Sequence, residues 1–352
     1  MRAGGSPRWS AEEARSWWAG QSWPVGCNFI PSSAVNQLEM WQAETFDEPT
    51  IARELGWAAD LGLNTVRVYL HDLLWEQDPE GFLARIDRFL GIAEGAGIRT
   101  ILVFFDDVWS PEFALGPQPD PHPGRHNSRW VQSPGLGALR GYRDDPGTAR
   151  RLESYVRGVL ARFAADSRVL LWDLYNEPGG FPSPRSKPVG ELCLPLLAEV
   201  FAWARDAAPT QPLTSGLWGN PADPPPAEIA AVQRANSDVI SFHHYGAADE
   251  LERICEVLAV GTGRPLLCTE YLARPLKSRF ETHLPIFRER RIGAIHWGLV
   301  SGRTQTVHPW WSWFDEESKA EPQTWFHDVL RADGTPFDED EADFLRRFLN
   351  VR

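Results

Sequence analysis

Residues Val169–Pro178 read VLLWDLYNEP. VLLWDLY is a short, mostly apolar run of the length of a strand buried in a parallel sheet. It stops at Asn176, Glu177 and Pro178, which places a carboxylate at the strand's C-terminal end. Working outward, similar runs recur on both sides. Upstream lie VGCNFI (Val25–Ile30), NTVRVYL (Asn64–Leu70) and TILVFF (Thr100–Phe105). Downstream lie PLTSGLW (Pro212–Trp218), VISFHHY (Val239–Tyr245), PLLCTE (Pro265–Glu270) and AIHWGLV (Ala294–Val300). Between them come helical patterns: Thr50–Leu61, a segment stopping near Gly95 and Gly97, Thr148–Ala164 and, at the end, Asp338–Leu349. Strands alternating with helices predict an α/β protein with a parallel sheet. The count of eight predicts a single (β/α)8 TIM barrel over residues 1–352, its core about 25–350. Long loops are expected after strand three (Asp107 to about Pro146) and after strand eight. A doubly wound open sheet would carry a glycine-rich phosphate loop after its first strand, and FIPSSAVNQ is not one.

The 352 residues carry 48 acidic against 35 basic side chains, a formal charge of -13. Such a surface repels nucleic acid and anionic membranes, so neither is expected as a partner. Four cysteines without metal-ligand spacing read as free thiols, with Cys27 and Cys268 on buried strands. No signal peptide or membrane-length apolar run is present, so the expected location is the cytoplasm. Oligomeric state is not readable. Tryptophan is abundant at 17, and Trp310, Trp311 and Trp313 cluster in a loop. Flat rings with a polar edge suit the C–H faces of sugars. A small neutral carbohydrate is therefore the expected partner, with no cofactor and no metal.

Active sites of such barrels lie at the C-terminal ends of the strands. Glu177 closes strand four and Glu270 closes strand seven. LYNEP, FHHY, CTEY and IHWG, in that order on strands four, six, seven and eight, resemble clan A glycoside hydrolases. The likeness is greatest to family 5, the cellulase, mannanase and β-glucosidase group, and spans about Val25 to Val300. The resemblance implies Glu177 as acid/base and Glu270 as nucleophile. One carboxyl must hold a proton for the leaving oxygen while the other is ionised to attack the anomeric carbon.

The same resemblance implies roles for neighbours. Arg67 would sit beside Glu270 and keep it ionised, or form a structural ion pair. Asn176 would bond the sugar 2-hydroxyl. His243 and Tyr245, two apart on one strand face, would lie near the acid/base and nucleophile respectively. His244 would face away and pack. Trp297 would form the aromatic floor. The family often carries a histidine near the end of strand three, where this chain has FFDDVW. Asp106 or Asp107 is left either to contact a hydroxyl or to cap the loop. His71 is another strand-end candidate. Asn28, Glu39 and Trp41, from NFIPSSAVNQLEMW, are candidate substrate contacts, and His126–Gly135 a candidate cleft wall.

The expected function is retaining hydrolysis of neutral β-linked gluco-, manno- or xylo-type glycosides, leaning to exo action. Transglycosylation on the same scaffold and a silent sugar-binding barrel are the alternatives. A metal-dependent hydrolase would need ligands such as His71, Asp106 and His243 to converge.

Overall fold

The computed structural model describes residues 7–181, 186–219, 225–315 and 319–350. Its strands are β1 (Val25–Asn28), β2 (Thr65–Tyr69), β3 (Arg99–Asp106), β4 (Val169–Asn176), β5 (Leu213–Thr214), β6 (Ile240–His243), β7 (Leu266–Glu270) and β8 (Gly293–Trp297). They form one parallel sheet in the order β5-β4-β3-β2-β1-β8-β7-β6. An isolated parallel bridge between Leu217 and Phe242 links the two edges, nearly closing a (β/α)8 barrel.

All eight expected strands are present, and the fifth differs most from expectation. Regular pairing covers only Leu213–Thr214 instead of the whole of Pro212–Trp218. After Thr214, the Ser215 hydroxyl donates to the carbonyl of Tyr175 instead of continuing a ladder. At Gly216 a Cβ would come 2.9 Å from His243 Nε2, so the missing side chain makes room for that ring.

The stretch after β3 is also less irregular than expected, since it contains the short helix Leu136–Gly141. Helices Glu48–Asp60, Pro79–Gly95 and Pro146–Phe163 start at Asp47, Asp78 and Asp145, whose side chains accept from first-turn amides. Each has proline in its first turn, where a missing N–H is harmless.

The barrel interior changes character along its axis. Near the N-terminal ends of the strands, Ile101, Leu171, Val239, Leu267 and Ile295 pack with Trp18 of the helix Ala11–Ala19. One layer up the interior is charged: Arg67 and Asp173 are both fully buried. At the C-terminal end Tyr69, Val103, Trp130 and Trp297 form an aromatic layer. Strand period two produces this stacking, since Thr65, Arg67 and Tyr69 share one face of β2. All four cysteines are buried free thiols. Among the described residues, no helix is long and apolar enough to cross a membrane.

Candidate active site

Glu177 lies just past β4 with φ of 40°, a left-handed conformation uncommon for a non-glycine residue and often found at functional sites. The turn is held from several directions. Gly180 N donates to Glu177 O at 2.9 Å. Trp218 Nε1 donates to Pro178 O at 3.0 Å. Asp107 accepts from Gly179 N at 2.7 Å and from the Tyr175 hydroxyl at 2.8 Å. Asp107 is thus the loop-capping carboxylate of the Asp106–Asp107 pair.

Glu270, at the end of β7, faces this turn. One oxygen of Glu177, one oxygen of Glu270 and a nitrogen of His243 all lie within 4.8 Å of one another. The two carboxyls have unlike surroundings. Glu270 Oε1 accepts from Arg67 Nη1 at 3.1 Å and Tyr69 OH at 3.0 Å. Its Oε2 accepts from Tyr245 OH at 2.7 Å and lies 3.5 Å from His243 Nδ1. Glu177 Oε1 pairs with His243 Nδ1 at 2.6 Å. Burial raises the Glu177 carboxyl to about 7, only partly opposed by Arg67. Burial and the neighbouring Glu177 carboxyl also raise Glu270, while His243, Arg67 and the Tyr245 hydroxyl oppose the rise. Four polar groups crowd one carboxylate and a single imidazole touches the other. Burial lowers His243 to about 4, so its ring is neutral near pH 7.

Arg67 ties the site to the barrel interior. Its Nε and Nη2 reach Asp173 Oδ2 at 3.0 and 2.8 Å. Nη2 donates to Asn176 Oδ1 at 2.6 Å, while Nη1 donates to Asn28 Oδ1 at 2.8 Å and to the Tyr69 hydroxyl. The guanidinium therefore serves both readings given to it: the ion pair inside the barrel and the contact to Glu270. Asn176 is fixed on its other side, donating to Asp106 Oδ1 at 3.0 Å. Asp106 also accepts from Trp130 Nε1 at 2.8 Å, so it positions an amide and an indole. Asn28 Nδ2 donates to Thr269 O at 2.8 Å, locking β1 to β7 beneath Glu270. Trp297, 8% exposed, meets Tyr69 and Trp130 edge-to-face at 5.8 and 5.5 Å.

The structure thus brings together Glu177, Glu270, Arg67, Asn176, His243, Tyr245, Trp297, Asn28 and Asp106. Three other candidates lie elsewhere. Trp41 is wholly buried between Phe46, Phe82 and Phe89, its Nε1 donating to Tyr69 O at 2.7 Å, so it is a core residue and not a sugar contact. His71 caps the helix Asp72–Gln77, accepting from Leu73 N at 3.2 Å, and its buried ring packs on Phe113. Glu39 accepts from Val35 N at 2.7 Å and pairs with Arg303 at 3.3 Å, bracing the β1 loop. His244 stacks on His283 and bonds Ala247 O, away from both carboxyls.

Sequence reasoning missed Tyr69, Asp173 and Trp130. Tyr69 follows Arg67 by two on the same strand, a spacing that could have placed both on one face. Asp173 is a charge inside an apolar strand and so needed a buried partner. Trp130 gave no signal beyond its place in the His126–Gly135 segment.

Among the described residues, His71, Asp106 and His243 do not converge as metal ligands. Glu177, His243 and Glu270 do lie close together, but Arg67, 3.1 Å from Glu270, repels a dication, and both Glu270 oxygens already accept hydrogen bonds.

A (β/α)8 barrel with two unlike carboxyls at its mouth, amid tyrosine, histidine and tryptophan, defines an O-glycosyl hydrolase. The family model for cellulase (glycosyl hydrolase family 5) matches residues 29–316, and the chain belongs to that family. Among solved structures the chain is similar to the endo-1,4-β-D-mannanase from Thermotoga petrophila RKU-1 (13% identity, TM-score 0.58), over 93% of this chain and 99% of that one. It is similar to a GH5_18 protein from Streptomyces cattleya solved with Manβ1-4GlcNAc (14%, TM-score 0.64), over 94% and 81%. The exo-β-1,4-mannosidase Op5Man5 from Opitutaceae bacterium strain TAV5 (20%, TM-score 0.60) aligns over all of this chain and 62% of its own. No curated protein sequence matches the chain.

Proposed function

We propose that the protein hydrolyses neutral β-linked gluco-, manno- or xylo-type glycosides with retention of configuration, from the chain end. The observation that carries this reading is the pair of carboxyl oxygens within 4.8 Å. Retaining enzymes hold their carboxyls about 5–5.5 Å apart, whereas inverting ones leave about 6.5–9.5 Å for a water. In the first step Glu270 attacks the anomeric carbon as the bond to the leaving oxygen breaks, and Glu177 gives that oxygen its proton. In the second, Glu177 takes a proton from water, whose oxygen displaces Glu270 from the same carbon. In this reading Asn176, held by Arg67 and Asp106, bonds the 2-hydroxyl.

End-wise action is supported by how the loops are joined. Asn127 N donates to Thr304 O at 2.8 Å, Gly124 N to Gln305 Oε1 at 2.7 Å and His126 N to Ser312 Oγ at 3.1 Å. These bonds clasp the loops after β3 and β8 to each other, and in this reading the joined loops close one end of the cleft.

The test is a panel of aryl β-glycosides, mannosides included, with the first-released sugar followed by NMR. The β anomer is expected first, and an initial α anomer overturns retention. The pH profile is expected to be a bell. Glu270 must be ionised, so activity falls toward acid as it takes up a proton. Glu177 must be protonated, so kcat/KM falls as pH rises through about 7. An alkaline limb beginning only above about 9 is incompatible with Glu177 as the acid.

A further inference from the structure

Tyr69, the last residue of β2, is 2% exposed, and its hydroxyl stands between Arg67 and Glu270. It accepts from Arg67 Nη1 and meets Glu270 Oε1 at 3.0 Å. A guanidinium has no acceptor, so the single phenolic hydrogen is left for the carboxylate. Burial raises the phenol well above its ordinary value, so that hydrogen stays in place across the working pH range. The bond from Arg67 polarises the phenol and strengthens the donation it makes. The ring is held edge-on by Trp130 and Trp297, with centroids at 5.0 and 5.8 Å. The backbone is held by Trp41, whose Nε1 donates to Tyr69 O at 2.7 Å.

Glu270 is in consequence loaded unequally. Each carboxylate oxygen offers about two lone-pair sites. Both of those on Oε1 are engaged, by Arg67 Nη1 at 3.1 Å and by the Tyr69 hydroxyl. Oε2 accepts one bond, from Tyr245 OH at 2.7 Å. His243 Nδ1 stands 3.5 Å from Oε2 but 2.6 Å from Glu177 Oε1, and its bond is made there. Oε2 therefore keeps a lone pair, and it is the oxygen that can attack.

We propose that Tyr69 is a positioning residue that reserves Oε2 of Glu270 for the anomeric carbon and stabilises Glu270 as the group displaced in the second step. This rests on the hydrolytic reading above. In the first step Oε2 bonds the anomeric carbon as the bond to the leaving oxygen breaks, and Glu177 gives that oxygen its proton. Oε1 becomes an ester carbonyl, and the carboxylate charge is lost. In the second step the water oxygen bonds the same carbon and Glu177 takes a proton from it. The electron pair of the carbon–Oε2 bond returns to Glu270 as a carboxylate. A donor on Oε1 favours the charged carboxylate over the ester. Tyr69 thus makes Glu270 a weaker nucleophile but a better leaving group, so its help falls on the second step.

The experiment removes the hydroxyl alone. Tyr69→Phe keeps a ring between Trp130 and Trp297, and Arg67 Nη1 retains Asn28 Oδ1 and Glu270 Oε1 as acceptors. With an aryl glycoside of a strongly acidic phenol the second step limits turnover, so kcat reads that step and kcat/KM the first. In Tyr69→Phe, kcat is expected to fall about tenfold or more, the scale of a lost hydrogen bond to a charged group, and kcat/KM to fall far less. A 2-deoxy-2-fluoroglycoside traps the glycosyl-enzyme for intact-mass detection, and its release should slow by a similar factor. Loss of the donor also raises the Glu270 pKa, so the acid limb of kcat/KM should move to higher pH. The other charged and titratable groups facing Glu270, namely Arg67, His243, Tyr245 and Glu177, are the same in both proteins. Equal falls in kcat and kcat/KM, with release of the trapped sugar as fast as in wild type, reduce Tyr69 to a packing ring and overturn the proposal. Failure of the hydrolytic reading looks different, since wild type then forms no glycosyl-enzyme with any glycoside. Ionisation of Glu270, followed by carbon NMR of its labelled carboxyl, needs no turnover. A Glu270 pKa equal in wild type and Tyr69→Phe overturns the proposal in that event.

Discussion

Glu270→Ala is expected to lose about 10⁴-fold or more in kcat/KM on every glycoside the protein cleaves, and Glu177→Ala to lose heavily only where the leaving group is poor. The two losses differ because the two carboxyls do. Glu270 is held by Arg67, Tyr69 and Tyr245, a setting that stabilises a carboxylate and aims it. Glu177 touches a neutral imidazole and sits near 7, a setting for a group that gives and takes protons. An aryl glycoside with a strongly acidic phenol needs no proton to depart, so Glu177→Ala should still form the glycosyl-enzyme and then stall. Azide makes the roles visible. Added to Glu177→Ala it attacks the glycosyl-enzyme and gives a β-glycosyl azide. Added to Glu270→Ala it fills the space of the missing carboxylate, attacks the sugar directly and gives the α product. The anomeric configuration of each azide by NMR checks the assignment, and exchanged products reverse it.

The parts of this site legible in the sequence are those fixed by one strand's period and its end. An apolar run stopped by Asn-Glu-Pro places Glu177 at a barrel mouth, and a second run stopped by Glu270 places its partner there. His243 and Tyr245 were readable for the same reason, being two apart on β6. Trp41 and His71 were misread because proximity in sequence to a strand end says nothing about direction. The chain turns into short helices after β1 and β2, which carries Trp41 behind the barrel wall and makes His71 a cap. The partners of Arg67 were only half readable. A buried guanidinium demands a carboxylate, but which one depends on how far around the barrel β4 stands from β2, and that is a property of the closed sheet.

Arg67→Met is expected to destabilise the fold by about 3–5 kcal/mol in denaturant unfolding, the scale for removing one partner of a buried ion pair. Asp173, with no exposure, would be left charged without the guanidinium that meets it at 2.8 Å. The chain has a remedy that separates structure from chemistry. Asp173→Asn in the same molecule removes the stranded charge and should restore much of the lost stability. It should not restore activity, because Glu270 and Asn176 still lack the donors that Arg67 aims at them. Loss of the cation also raises the Glu270 pKa, so the acid limb of kcat/KM should move to higher pH in both variants. Arg67→Lys supplies the complement: charge remains near Glu270, but one ammonium cannot span Asp173, Asn28, Asn176 and Glu270 as the forked guanidinium does. Its acid limb should therefore move less than that of Arg67→Met while kcat still falls. A double variant that regains both stability and turnover would mean that Arg67 serves the barrel interior alone, and that Glu270 is kept ionised by its tyrosines without it.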